Sequence, residues 1–165
     1  MPDWLAHVLA AWILWKLLVL RFNFNNKFAS IVMIGALIPD AEKMGYLEGW
    51  IRYLISIQQN ELSIDVGYLL KPLHSPAGAM LLAAIVSLFF SEHKRILALL
   101  VLGISTHFFL DLCLTHVTGG EILLLFPLSL EMYQLNLIQT DNYYPVLIAL
   151  PLALLLFIHE RKTQK

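Results

Sequence analysis

The chain has 165 residues, of which 59% are hydrophobic and only 14% are charged. Soluble domains carry roughly 45–50% apolar and about 25% charged residues, so this composition excludes an ordinary soluble domain and also intrinsic disorder. The formal net charge is −1, which excludes the strongly basic surface that nucleic-acid binding requires. We therefore expect a single integral membrane domain over residues 1–165, surrounded by membrane lipid.

Polar or charged residues divide the chain into five apolar stretches. In chain order these are Trp4–Leu20, Phe28–Pro39, Pro76–Phe90, Ile96–Leu114 and Tyr144–Ile158. The second and third are shorter than the about 20 residues that a full crossing of the bilayer needs. The sequence therefore predicts an all-α membrane fold with about five transmembrane or partly spanning helices.

Basic residues concentrate after the first, third and fifth stretches. Seven of the eleven Lys and Arg residues lie there, namely Arg21, Lys27, Lys94, Arg95, Arg161, Lys162 and Lys165. Short cytoplasmic loops collect Lys and Arg, so this distribution predicts a multi-pass inner-membrane protein with an extracytoplasmic N-terminus and a cytoplasmic C-terminus. Lys16 lies near the cytoplasmic end of the first helix, where its long stem can snorkel.

The two predicted extracytoplasmic segments are more apolar than ordinary loops. Residues 44–57 mix aromatic and charged side chains, which favours a helix in the interface plane and a lid within 41–75. Residues 122–130 are too short to span and contain Pro127, so a re-entrant or interfacial segment is expected within 121–131. Four aromatic residues are predicted interfacial anchors: Trp4, Trp50, Tyr143 and Tyr144.

Five ionisable residues map to the outer ends of four predicted helices. They are His7, Asp40, His74, His107 and Asp111. At 1.5 Å per residue they lie about 17–24 Å above the predicted cytoplasmic boundary. Ionisable groups are costly in hydrocarbon and usually face a site or pair with each other. Adjacent helices would therefore bring these five together in the outer third of the bilayer, as helix bundles do when they build metal sites.

Local spacing supports a shared site. His107 and Asp111 stand at i and i+4, so their side chains lie on one helix face. Gly103 precedes them on the same stripe and would permit close approach of a neighbouring helix. Asp3 and His7 repeat the i, i+4 spacing, which suits a carboxylate that orients a ligating histidine.

Other polar residues flank this layer. Ser75 is predicted to cap a helix that begins at Pro76, and this would direct the positive helix end toward His74. His116 and Glu121 are candidate extra ligands. On a continuous helix His116 would point away from the stripe, so its role requires the helix to end before it.

The types of side chain available as ligands limit which metal ion the site could bind. The single cysteine, Cys113, excludes an internal disulfide framework and a Cys-rich zinc site. Three His and two Asp suit zinc best, with manganese or iron as alternatives, and could hold one ion with an open position or two ions that share a carboxylate. Because the layer lies at headgroup depth, a lipid ester or phosphoester is the expected substrate.

At these residues the sequence resembles the membrane-bound, metal-dependent hydrolase family whose bacterial members include the LexA-regulated inner-membrane proteins. The elements that carry the resemblance are His7, GALIPD from Gly35 to Asp40, the pair His74 and Ser75, HFFLD from His107 to Asp111, and the pair Phe126 and Pro127. The family is distantly similar to zinc-dependent phospholipase C and P1 nuclease proteins, which implies a helical core of that type.

The resemblance implies a phosphoester hydrolase whose metal ligands are His7, Asp40, His74, His107 and Asp111. In that reaction Asp40 or Glu42 would accept a proton, and Lys71 or the helix that begins near Ser75 would bind phosphate oxygens. The soluble relatives use more ligands than this sequence offers, so one or two ions are expected.

The alternative function is a non-enzymatic metal carrier or an ion-coupled transporter, because intramembrane His and Asp also mark ion pathways. A conduit needs polar groups through the whole membrane. The cytoplasmic halves offer residues such as Trp15, Leu18, Leu88 and Leu99 instead, which favours a one-sided pocket. The oligomeric state is left open by the sequence.

Overall fold

The computed structural model of the protein describes residues 3–22, 24–43, 53, 71–115, 122–139 and 143–163. Within these residues the α-helices are α1 (Asp3–Phe22), α2 (Ala29–Gly35), α3 (Pro76–Ser87), α4 (His93–Cys113) and α5 (Tyr144–Thr163), joined by short 3-10 helices at Asn26–Phe28, Pro39–Lys43 and Lys71–His74. Two-residue strands, β1 (Leu114–Thr115) and β2 (Ile138–Gln139), pair in parallel. The helices follow the five apolar stretches, so the predicted all-α membrane fold is confirmed.

Three of these helices are long and apolar enough to cross a membrane. The spanning stretches are Trp4–Phe22, His93–Cys113 and Tyr144–Lys162. At 1.5 Å per residue, α2 and α3 extend only about 10 Å and 18 Å, against a hydrocarbon core of about 30 Å. The second and third stretches therefore form helices that are too short to cross the membrane, as their lengths predict.

Helix α4 lies at the centre of the bundle, against α1, α2 and α3. Its crossing with α2 depends on two glycines. A Cβ atom on Gly103 would collide with the Val32 carbonyl oxygen, and one on Gly35 would collide with the Leu100 carbonyl oxygen. The close approach predicted for Gly103 is confirmed, and it brings the outer ends of α2 and α4 together.

Helix α5 packs mainly on α1, and its spanning stretch contains no buried residue. A polar contact ties the two helices at the end opposite to Asp111. Lys16 Nζ lies 2.6 Å from Glu160 Oε2 and 2.7 Å from Asn26 Oδ1. Lys16 is only 7% exposed, so it does not snorkel to water as its position suggested. A carboxylate on α5 instead neutralises the charge.

The predicted lid and the second apolar segment lie between these helices. Residues 44–52 and 54–70 lie outside the described residues, so the lid and the Trp50 anchor stay predictions. Residues 124–128 form turns, Ile122 and Leu123 are buried, and Leu128 is 92% exposed. Ile122 forms an antiparallel bridge with Tyr133. This segment is not a spanning helix, and its re-entrant or interfacial placement remains a prediction.

Candidate metal site

The structure brings the five predicted ligand residues together at one end of the bundle. They come from α1, from the 3-10 helices Pro39–Lys43 and Lys71–His74, and from α4. All five are buried, with exposures between 0% for His107 and 7% for His74. Four chain segments therefore converge on a single polar cluster within an apolar bundle.

Asp111 occupies the centre of this cluster. The Nε2 atoms of His7, His74 and His107 lie 3.1, 3.0 and 3.0 Å from its carboxylate oxygens. Asp40 lies slightly farther out, with its Oδ1 atom 3.6 Å from His74 Nδ1 and 3.9 Å from His107 Nε2. Three imidazoles thus face one carboxylate, and a second carboxylate borders the same space.

Main-chain carbonyls fix two of the imidazoles. His107 Nδ1 lies 2.7 Å from the Ala36 carbonyl oxygen, and His74 Nδ1 lies 3.1 Å from that of Pro39. A carbonyl oxygen only accepts, so in each ring Nδ1 carries the hydrogen and donates it. The Nε2 atoms are thereby directed at the centre of the cluster, which is the arrangement that ligating histidines adopt.

The local sequence around Ser75 explains the position of His74. Ser75 caps α3: its hydroxyl accepts from the Gly78 N–H at 3.1 Å and donates to the Pro72 carbonyl oxygen at 2.6 Å. The 3-10 helix therefore ends at His74 and α3 begins at Pro76. The predicted cap is confirmed. Ser75 is fully buried, and its contact with a substrate remains a prediction.

The donor atoms fit a metal ion. Two overlapping groups, His7 with Asp40 and His107, and His74 with His107 and Asp111, each place three possible ligand atoms within 4.8 Å of one another. Ligand atoms on a tetrahedral zinc ion lie about 3.4 Å apart, which is between the 3.0 and 3.9 Å separations of His107 Nε2 from the two carboxylates, so small shifts would suffice. Because His107 belongs to both groups, the cluster could hold one ion or two neighbouring ions.

Two ring nitrogens also indicate that the cluster can hold a metal ion. His7 Nδ1 and His107 Nε2 are buried and make no hydrogen bond to the described part of the chain. Buried polar atoms in native proteins nearly always have a partner. His107 Nε2 lies 3.0 Å from Asp111 Oδ2 without the direction of a hydrogen bond, and a shared cation would satisfy both atoms.

The chain is similar to a known protein family over its whole length. The model of the YdjM inner membrane protein family matches residues 1–165. The chain belongs to this family. No curated protein and no solved structure matches it. The predicted membership of an inner-membrane family is confirmed, whereas a core like that of phospholipase C or P1 nuclease stays a prediction.

Three other predicted site residues of this YdjM-family protein lie beside the cluster in the chain. Glu42 is in the 3-10 helix that contains Asp40, Lys71 begins the one that ends at His74, and Asp3 begins α1. The side chains of Glu42, Lys71 and Asp3 lie outside the described residues, so their roles stay predictions.

His116 and Glu121 also lie outside the described residues. The end of helix α4 nevertheless bears on the predicted ligand role of His116. Helix α4 ends at Cys113, and the chain continues extended through Leu114 and Thr115. The helix thus ends before His116, which is the condition that a ligand role requires.

The sequence did not reveal the second polar cluster, formed by Lys16, Asn26 and Glu160. A signal was present, because Lys16 lies within an apolar helix and Glu160 at the end of another, and such charged residues usually pair. Buried apolar residues lie between this cluster and the site: Ala11, Trp15, Phe28, Val32, Ala36 and Leu99. The two polar regions are therefore separate.

Proposed function

We propose that this YdjM-family protein is a membrane-embedded, metal-dependent hydrolase that cleaves a phosphoester of a lipid or lipid-like substrate at the extracytoplasmic leaflet. The observation that carries the proposal is the convergence of three imidazoles and two carboxylates in one buried cluster.

The protonation of the cluster favours a cation. His74 and His107 donate Nδ1–H to carbonyl oxygens, so in each neutral ring an unprotonated Nε2 atom would lie 3.0 Å from the Asp111 carboxylate. Two facing acceptors repel each other, and only additional protons or a cation relieve this. A divalent cation balances two carboxylates and accepts all three lone pairs at once. Zinc suits this donor set best, and manganese and iron are the alternatives.

One or two such ions, when bound, would activate water for attack on phosphorus and neutralise charge on a phosphoryl oxygen. The remaining tasks belong to side chains around the cluster. Asp40, or Glu42 two residues later, would accept the proton of the attacking water. Lys71, or the positive end of α3 at Ser75, would bind the phosphate oxygens of the substrate.

Aromatic residues support a site at headgroup depth. Trp4 near the start of α1 and Tyr144 at the start of α5 are 47% and 62% exposed, and Tyr143 is 63% exposed. All three lie toward the end of the bundle that contains His7 and Asp111. Exposed Trp and Tyr at the ends of spanning helices prefer the membrane interface. A lipid headgroup linkage is therefore the substrate bond closest to the cluster.

The alternative, a metal carrier or ion-coupled transporter, receives support from the second polar cluster at Lys16 and Glu160. A conduit would need polar side chains between the two ends. The packed residues in between are apolar, including Trp15 and Val32. This separation favours a one-sided site.

The proposal is tested by incubating the purified protein with a mixed phospholipid extract and following the products by mass spectrometry. We expect phosphoester cleavage products that a metal chelator abolishes. His107→Ala should be inactive, and His93→Ala, which removes an exposed histidine at the opposite end of α4, should retain activity. Metal flux into proteoliposomes without any cleavage would support the carrier instead.

A further inference from the structure

A groove of about 440 Å³ lies between α1 and α5, open to the side of the bundle. We call it the α1–α5 groove. The described residues that line it have no charged or polar side chain and include small residues from both helices. Ala6, Ala10 and Leu14 line it from α1, Pro145 and Ala149 from α5, and Leu110 from α4. In a membrane-spanning bundle such a groove faces hydrocarbon rather than water.

The length of the groove equals about one leaflet. On α1 its lining extends from Ala6 to Leu17, which is about 16 Å at the rise of an α-helix. Half of a hydrocarbon core of about 30 Å is about 15 Å. The groove therefore has the length that one acyl chain occupies within one leaflet.

The outer end of the groove adjoins the polar cluster. Ala6 directly precedes His7, and Leu110 directly precedes Asp111. The inner end, at Leu17 and Leu152, is apolar. The polar cluster and the apolar groove are thus arranged like the headgroup and acyl chain of a lipid. The polar part lies at the outer end and the apolar part toward the middle of the membrane.

We propose that the α1–α5 groove binds one acyl chain of an outer-leaflet phospholipid and places the phosphoester of that lipid at the imidazole–carboxylate cluster. This proposal rests on the proposed function and specifies its substrate class: a lipid with a long acyl chain, recognised through that chain. Soluble phosphoesters would reach the cluster without this contact.

The same helix pair offers a matched control. A second apolar groove, of about 370 Å³, lies on the other side of the α1–α5 contact and includes Trp12, Met33 and Ala153. On α5 its lining extends from Leu150 to Phe157, about one to two turns deeper than the lining of the α1–α5 groove, which ends at Leu152. Ala149→Trp fills the proposed groove, and Ala153→Trp fills the control groove one turn away.

The binding experiment uses the purified full chain in detergent with increasing amounts of phosphatidylethanolamine that carries a diazirine in the middle of one acyl chain. We expect saturable photolabelling that maps to the α1–α5 groove. Ala149→Trp should reduce it about tenfold, because the loss of two buried methylenes already costs about that factor. Ala10→Phe, from the opposite wall, should act in the same way, and Ala153→Trp should leave labelling unchanged.

Metal content and hydrolysis are measured on the same samples. Ala149→Trp should keep its metal and lose hydrolysis of long-chain phospholipid, while hydrolysis of a short-chain soluble phosphoester stays unchanged. Labelling that does not saturate, that is equal in Ala149→Trp and Ala153→Trp, or that disappears because the chain dimerises through this face would overturn the groove assignment. A chain that labels as expected but holds no metal and cleaves nothing would overturn the proposed function alone.

Discussion

The three histidines of the cluster are held by different contacts, and His107 is the most constrained. It is fully buried, donates Nδ1–H to the Ala36 carbonyl oxygen and stacks on His7 with ring centroids 3.9 Å apart. It also belongs to both groups of potential ligands. Removal of this ring should therefore disturb every arrangement of one or two ions that the cluster can hold.

This predicts that His107→Ala abolishes stabilisation by metal. With a divalent ion at about 100 times its Kd, the metal-free protein should gain about 2.7 kcal/mol. The gain appears as a higher midpoint of thermal unfolding when zinc is added to the metal-free protein in detergent. His93→Ala should show the full shift and His107→Ala almost none. An equal shift in both variants would place the bound metal elsewhere.

Helix lengths and the polar layer could be predicted from the sequence, whereas the contacts that orient the site could not. The layer was predictable because the membrane fixes the depth of each residue along a helix. The Ala36 carbonyl was not, since every residue has one. The Ala36 carbonyl lies just beyond α2, and the last carbonyls of a helix lack intrahelical hydrogen-bond partners. His107 donates the hydrogen bond that this carbonyl would otherwise lack.

The packing of α5 against α1 could not be predicted from local sequence patterns either. Lys16 and Glu160 are separated by 144 positions, and each one alone is only a charge near a helix end. Their pairing shows that α5 is tied to α1 by a polar contact at one end and by apolar side chains along the rest. The helix has no buried residue in its spanning stretch, so this contact should matter more than an ordinary surface ion pair.

We therefore predict that Lys16→Met or Glu160→Leu lowers the free energy of unfolding by roughly 2–3 kcal/mol, because the buried Lys16 ammonium or the partly buried Glu160 carboxylate loses a charged hydrogen-bond partner. The double variant Lys16→Met/Glu160→Leu should recover much of this loss. Thermal unfolding in detergent measures all three, with Arg95→Met as the exposed control. Additive losses in the double variant would show that the two side chains are not coupled.

At the scale of the whole molecule, the polar cluster, the exposed aromatic residues and the outer end of the α1–α5 groove share one end, and basic residues lie toward the other. Under the rule that Lys and Arg remain cytoplasmic, we expect the site in the extracytoplasmic leaflet. The substrate would then be an outer-leaflet lipid, and cleavage products would be released outside.

Cysteine labelling tests this orientation. In a Cys113→Ser background, Tyr143→Cys should react with a membrane-impermeant maleimide added to intact spheroplasts. Glu92→Cys, at the turn before α4, should react only after permeabilisation. Both positions are exposed, so a difference in labelling reports the side of the membrane. The reverse pattern would put the cluster on the cytoplasmic side and exclude an extracytoplasmic substrate.

The most direct test of the account is the metal content of the purified protein, measured by elemental mass spectrometry after exposure to zinc and removal of loosely bound ions. We predict about one or two equivalents of divalent metal in the unmodified chain and in His93→Ala. Asp111→Ala should lose most of it, because this carboxylate contacts all three imidazoles. A metal-free unmodified chain, or full metal retention in Asp111→Ala, would contradict the account.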